Sequence, residues 1–195
     1  NAFYRAKWAE VPAGRLDFEH LEALPFTTKR ELLADQAAHG PFGSNLTYPL
    51  ADYVRLHQTS GTTGTPLRVL DTQADWDWWA DCWRYVLDGA GVTAQDIVML
   101  AFSFGPFIGF WSAQEAVGRL GALMLSGGGM TSTQRLNAMR ELGATVLLCT
   151  PSYALHLAEA GLDNLVVAYP TVDRGAVERV ARLAAEQPDR APVLM

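Results

Sequence analysis

From residue 97 to residue 161 the chain alternates between two rhythms. Short unbroken apolar runs at Ile97–Ser103, Leu123–Ser126 and Thr145–Cys149 predict strands. Between and after them, Phe110–Leu120, Thr133–Leu142 and Ser152–Ala160 carry apolar residues at helical spacing, with Gly143 and Gly161 as stops. Strands that alternate with helices in this way predict parallel βαβ units, so the expected class is α/β, a mainly parallel sheet flanked by helices. Right-handed crossovers place the C-terminal ends of such strands on one edge, where open α/β sheets bind ligands. Residues 103–109, 126–131 and 150–153 all follow predicted strands, and the pattern therefore predicts a single cleft.

The first half is less regular. A helix is expected over Ala2–Glu10 and another over Thr28–Ala38, with Thr27 or Thr28 as its cap; Pro41, Gly43 and Pro49 then punctuate a loop. Val54–His57 and Leu67–Leu70 read as two strands. Thr72, three residues before Asp75, has the spacing of a capping box and opens a helix to about Asp88, ended by Gly89 and Gly91. On it, Trp76, Trp79, Trp83 and Val86 share a stripe that could stack bases or aromatic acids; the preferred reading is a packed face. The segments expected are 1–50, helical and loop; 51–161, the α/β core; and 162–195, a strand–helix–strand with Val177, Val180, Ala181 and Ala184 as the apolar face of its helix.

The chemistry concentrates in residues 58–66, QTSGTTGTP. Glycine permits positive φ and close approach of a ligand to the backbone. Consecutive amides in such a turn make an anion-binding concavity, and hydroxyls add donors that rotate to suit an oxygen. Thr59, Ser60, Gly61, Thr62, Thr63 and Gly64 are the candidate polyphosphate grip. It is not a Walker A loop, which requires a lysine; Thr65 stands where a cation would help. The competing reading is a Thr/Gly hairpin turn. His57, just before the loop, reads as a packed strand residue rather than a base.

Composition narrows the classes. A net charge of −6 without a basic run argues against a nucleic-acid partner. Hydrophobic content of 49% against 18% charged residues describes a globular protein rather than a disordered one. No 18-residue apolar run or signal peptide occurs, so neither membrane insertion nor secretion is expected. Cys82 and Cys149 lack CxxC spacing and the four histidines lack ligand spacing; buried thiols in a reducing cytoplasm, and no resident metal, are the expectation. The chain does not begin with Met and ends on a strand-like PVLM, which reads as a piece of a longer protein.

Five ordered stretches resemble the phenylacetate–CoA ligase family of the acyl-adenylate-forming ligases: NAFYRAKWAEV with LPFTTKREL (24–32), VRLHQTSGTTGTPLRV (54–69), FSFGPFIGF (102–110), SGGGMTSTQRL (126–136) and TPSYALHLAEAG (150–161). Gly64-Thr65-Pro66 departs from the commoner Gly-Lys-Pro. The resemblance implies a fragment of the large N-terminal domain, a loop that cradles the β- and γ-phosphates of ATP, and AMP-forming ligation of an aryl acid such as phenylacetate to CoA, with Mg²⁺ as counter-ion. It makes Phe102, Phe104, Gly105, Phe107, Ile108 and Gly109 the acid-binding pocket, although any one ring could equally be core. Gly127, Gly128 and Gly129 either admit close approach or form a turn, and Tyr153 either lines the pocket or packs. The small-molecule acid, ATP and CoA are the expected partners, with a homodimer left open.

The family's acidic adenine- and ribose-binding motifs and its catalytic lysine have no counterpart in these residues, so no catalytic residue is assigned. The chain alone is expected to bind nucleotide weakly and to turn over little. Residues 165–195 are more similar to a unit of the pyridoxal-phosphate barrels of the D-threonine aldolase and alanine racemase type, which leaves open a chimeric join near residues 161–164 and a barrel enzyme as a third reading. A non-catalytic interaction module is the second.

Overall fold

The computed structural model describes residues 1–11, 24–61 and 64–160, and the backbone of 166–168 and 193–194. The chain divides into two compact units, Asn1–Asp75 and Trp76–Met195.

The first unit begins with α1 (Ala2–Lys7) and α2 (Lys29–Ala38). Thr28 caps α2 in a complete capping box with Glu31, each satisfying an amide that a helix start would leave bare. Glu31 also takes the Lys7 ammonium and so joins the two helices. Buried Asp35 accepts from the Ser44 amide and hydroxyl, both at 2.6 Å, and meets His39 Nδ1 at 2.9 Å, which folds the chain back after α2. The unit ends in an antiparallel hairpin of β1 (Tyr53–Gln58) and β2 (Arg68–Thr72), with His57 opposite Val69 and Gln58 opposite Arg68. Buried Gln36 reaches this hairpin with both ends of its amide: Nε2 donates to Arg68 O at 2.6 Å and Oε1 accepts from Arg68 N at 3.1 Å.

Helix α3 (Gln73–Gly89) carries the chain onward. Its capping box forms as the spacing predicts: Thr72 N and Oγ1 donate to Asp75, and Thr72 Oγ1 accepts from Asp75 N. The buried stripe is Trp76, Ala80, Trp83 and Leu87, with Trp79 and Val86 half-buried. The tryptophan face is a packing face as expected at Trp76 and Trp83, with Ala80 and Leu87 rather than Trp79 and Val86 completing its buried stripe.

In the second unit β3 (Ile97–Leu100), α4 (Ile108–Leu120), β4 (Leu123–Ser126), α5 (Ser132–Leu142), β5 (Val146–Leu148) and α6 (Pro151–Glu159) follow in turn. The backbone of β6 (Val166–Ala168) and β7 (Val193–Leu194) completes a parallel sheet ordered β4-β3-β5-β6-β7. The helix predicted between β6 and β7 and the proposed join near 161–164 lie outside the described residues.

Alternation along the strands explains the layers. Val98, Leu100, Val146 and Leu148 pack with Trp83 and Leu87 of α3 and Ala113, Ala116 and Val117 of α4. Met99, Ala101, Leu147 and Cys149 pack with Leu136 and Met139 of α5 and Ala154 and Leu157 of α6. Each fully buried Val, Leu or Met among these contributes about 1.5–3 kcal/mol. Gly121 and Gly143, both at positive φ, stop α4 and α5.

Glu31 generates a pH expectation. The Lys7 hydrogen bond, followed by bonds from the Thr28 amide and hydroxyl, lowers its carboxyl from 4.5 to about 2. A depressed carboxyl stabilises the fold fully above its unfolded value and loses that contribution as pH falls toward the folded one. Thermal melts by circular dichroism between pH 5 and pH 2 should therefore show a downward limb that Glu31→Gln flattens. Identical slopes for variant and wild type would refute the assignment.

Candidate functional site

Two stretches carry the predicted site residues, one in each unit, and each is described by itself. The first is the loop between β1 and β2. Thr59 N donates to Leu67 O at 3.0 Å, and Thr59 Oγ1 accepts from Leu67 N at 3.1 Å, which closes the loop's neck. Gly64 N donates to Gly61 O at 2.8 Å. Gly61 sits at φ +65°, and a Cβ there would stand 2.8 Å from Gly64 O and 3.0 Å from Pro66 Cγ, so only glycine fits. The amides of Ser60 and Gly61 make no hydrogen bond among the described residues. Thr62 and Thr63 lie outside those residues.

Below the neck, His57 and Asp71 are both buried, with Nε2 and Oδ2 3.1 Å apart. Burial, with Arg55 nearby, holds the imidazole below its ordinary pKa; burial, with Asp75 nearby, raises the carboxyl. His57 is the packed strand residue that the sequence suggested.

The second stretch is the C-terminal edge of the parallel sheet. Strands β3 and β5 are neighbours, yet β3 leads into α4 on one face and β5 into α6 on the other. That divergence is a topological switch point, where the crevice of an open α/β sheet lies. Phe102 and Phe104 follow β3 and stand edge-on at 6.3 Å; Phe102 stacks on Phe110 at 4.5 Å. Phe104 meets Trp111 at 5.1 Å and Phe107 meets Phe110 at 6.1 Å. Trp111 Nε1 donates to Gly105 O at 2.8 Å and pins the turn. The segment is thus one aromatic cluster, with Phe102 buried, Phe104 half-buried and Phe107 exposed.

The glycines differ in what they do. A Cβ on Gly105 would press the Phe107 ring at 3.0 Å and one on Gly128 the Phe104 ring at 2.9 Å. On Gly127 it would meet Leu100 O at 2.8 Å, because Gly127 N donates to that oxygen at 2.9 Å. Gly109 has open space around it and, with Ile108, belongs to the first turn of α4. Gly129 has positive φ and likewise meets nothing. Tyr153, in the first turn of α6, is half-buried; its hydroxyl lies 2.9 Å from Ser132 Oγ.

Arg135 was not anticipated. It is 7% exposed; Nε donates to Gly127 O at 3.0 Å, Nη1 to Ala101 O at 3.4 Å and Nη2 to Phe102 O at 3.3 Å. Its Cζ lies 5.1 Å from the Tyr153 ring centre. The structure therefore brings Phe102, Gly127 and Tyr153 around one cation. Its place beside Leu136 and four residues before Met139, on the inward stripe of α5, was the available signal.

No protein-family model matches the chain. It is 34% identical over 159 residues to a phenylacetate-coenzyme A ligase of Pseudomonas putida and 33% identical over 159 residues to one of Escherichia coli strain K12. Each alignment takes in 80% of this chain and 35% of the relative, so the chain spans about a third of the length of the curated relatives it matches. Among solved structures, an open conformation of 2-hydroxyisobutyryl-CoA ligase in complex with 2-HIB-AMP and CoA superposes with a TM-score of 0.79 at 28% identity, over 99% of this chain and 47% of that one. A postadenylation state of the same ligase is 32% identical over 81% of this chain, with a TM-score of 0.71. The barrel likeness of residues 165–195 finds no support in these comparisons. By sequence the chain is a homologue of the phenylacetate–CoA ligases over part of their length, and its fold is that of the acyl-adenylate-forming CoA ligases.

Proposed function

We propose that this chain is the phosphate- and acid-binding portion of an AMP-forming acid–CoA ligase acting on an aryl acid such as phenylacetate. The observation that carries the proposal is the aromatic cluster at the β3/β5 switch point of a chain homologous to phenylacetate–CoA ligases. In the first step a carboxylate oxygen attacks the α-phosphorus of ATP; the new P–O bond forms as the bond to pyrophosphate breaks. In the second, the CoA thiolate adds to the acyl carbon and AMP leaves. Catalysis of such displacements rests on positioning and on donors aimed at the charged oxygens.

Within this scheme Thr59, Ser60, Gly61, Thr62, Thr63 and Gly64 hold the triphosphate through amides and hydroxyls. Phe102, Phe104, Gly105, Phe107 and Ile108 present an apolar surface to the acid, and Gly109, Gly127, Gly128 and Tyr153 frame it. Mg²⁺ enters as the counter-ion that accompanies the triphosphate. Among the described residues no group of three His, Cys, Asp or Glu side chains stands ready for a resident ion, and no step is assigned to one. A reducing cytoplasmic setting accords with two free cysteines, of which Cys149 is buried and its thiol pushed up to about 12 by that burial. Among the described residues no helix is long and apolar enough to cross a membrane.

A second reading, a non-catalytic module in which the loop is a turn, draws on the antiparallel pairing of β1 and β2 on either side of it. Calorimetric titration of the 195-residue chain with MgATP separates the two. The ligase reading expects weak binding that the double substitution Thr62→Ala, Thr63→Ala abolishes; absence of heat in the wild type would favour the turn. A rapid release of pyrophosphate with phenylacetate from this chain alone would contradict the expectation that turnover needs segments of the relatives that this chain does not span. For the acid, Phe104→Ala should weaken phenylacetate binding by about tenfold, the loss of one ring contact of roughly 1.4 kcal/mol, as read by tryptophan fluorescence. An unchanged affinity would remove Phe104 from the pocket.

A further inference from the structure

Arg135 occupies a place that stability alone would give to an apolar side chain. It is buried, it lies in the first turns of α5, where the helix dipole opposes a cation, and no carboxylate pairs with it among the described residues. Replacing an ion buried in this way by a well-packed hydrophobe is often neutral or stabilising. The start of α5 is nevertheless held firmly to present it: Thr131 and Gln134 form a complete capping box.

The bonds it makes have a consequence for the opposite side of the backbone. Two of its donors turn the carbonyls of Phe102 and Gly127 inward. A trans peptide is planar, so the amide that follows each carbonyl points the other way. Those amides belong to Ser103 and Gly128, both exposed, and neither makes a hydrogen bond among the described residues. Hydrogen bonding of a carbonyl to a cation also polarises its peptide and strengthens the outward donor.

We propose that Arg135 is a positioning residue that aims the Ser103 and Gly128 amides outward from the strand ends as a pair of donors for the carboxylate of the acid substrate. The proposal deepens the acid-site reading above and rests on it. In a molecule of net charge −6 these polarised donors give an anionic headgroup a local foothold beside the aromatic cluster. The guanidinium touches no ligand; it acts through the two peptides, and its planar fork reaches several carbonyls together, which a lysine cannot do.

The test is a titration of the ¹⁵N-labelled 195-residue chain with sodium phenylacetate and, separately, with its neutral isostere phenylacetamide, following the amide signals of Ser103 and Gly128. In the wild type both signals should move, and phenylacetate should bind about fivefold or more tightly than the amide, because donors bind a charged acceptor more strongly than a neutral one. Arg135→Met should abolish that preference while leaving aromatic contacts to both ligands. Arg135→Lys, which keeps the charge but not the fork, should diminish it and decides the matter if the methionine variant does not fold. A folded Arg135→Met, or an Arg135→Lys, with the full preference overturns the proposal and leaves the acid site standing. A wild type in which neither ligand moves any signal of the strand-end segments overturns the acid-site reading, and this proposal with it.

Discussion

Two-sided burial of β3 is the constraint on which the second unit depends. Val98, Met99 and Leu100 have no exposed surface, and β4 and β5 occupy both edges of their strand. A strand enclosed in this way needs a helix layer on each face and partners along its whole ladder. The helices α3 and α4 supply one layer and α5 and α6 the other. The two ends of β3 are then secured by opposite means. At its start, Thr145 Oγ1 accepts from Ile97 N and donates to Asp96, whose carboxyl is bonded again by Thr93. Burial raises the Asp96 carboxyl, but bonds from Thr93 and Thr145 outweigh it and hold it below its ordinary pKa. At the other end the fastener is the Arg135 cation.

This division of labour sets the proposed acid site and the bonds that secure the strand starts at opposite rims of one sheet. The rim before the strands is closed by short side chains that bond one another. The rim after them is left with aromatic rings, close-set glycines and backbone groups whose orientation is imposed from below. Gly127 shows how tight the arrangement is, since its amide serves Leu100 O while its carbonyl serves Arg135. Any side chain at that position would have to displace backbone.

Much of this was legible in the residues. The alternating pattern after residue 97 gave every strand and helix through α6 to within a few positions, because two-sided burial leaves unbroken apolar runs. The strand predicted to Ser103 ends at Leu100, since the next carbonyls, of Ala101 and Phe102, bond the Arg135 guanidinium rather than a neighbouring strand. The capping box at Thr72 was readable because its partner sits three residues away, whereas for α2 the sequence narrowed the cap only to Thr27 or Thr28, of which Thr28 is the one, with Glu31 completing its box. Arg135 was missed because a charged residue on a helix reads as solvent-facing, although its spacing from Met139 puts it on the inward stripe. The Trp stripe held at Trp76 and Trp83, whereas at the other two positions Ala80 and Leu87 take the inner face and leave Trp79 and Val86 half-buried.

Gln36 also governs the hairpin's flank. A two-stranded ribbon leaves unsatisfied main-chain groups along its margins, and such margins recruit foreign chains. By matching both the donor and the acceptor of Arg68, the carboxamide imitates one rung of a third strand without supplying a strand. The ribbon is sealed there by a side chain, so that margin is closed to a foreign strand without a third strand of its own.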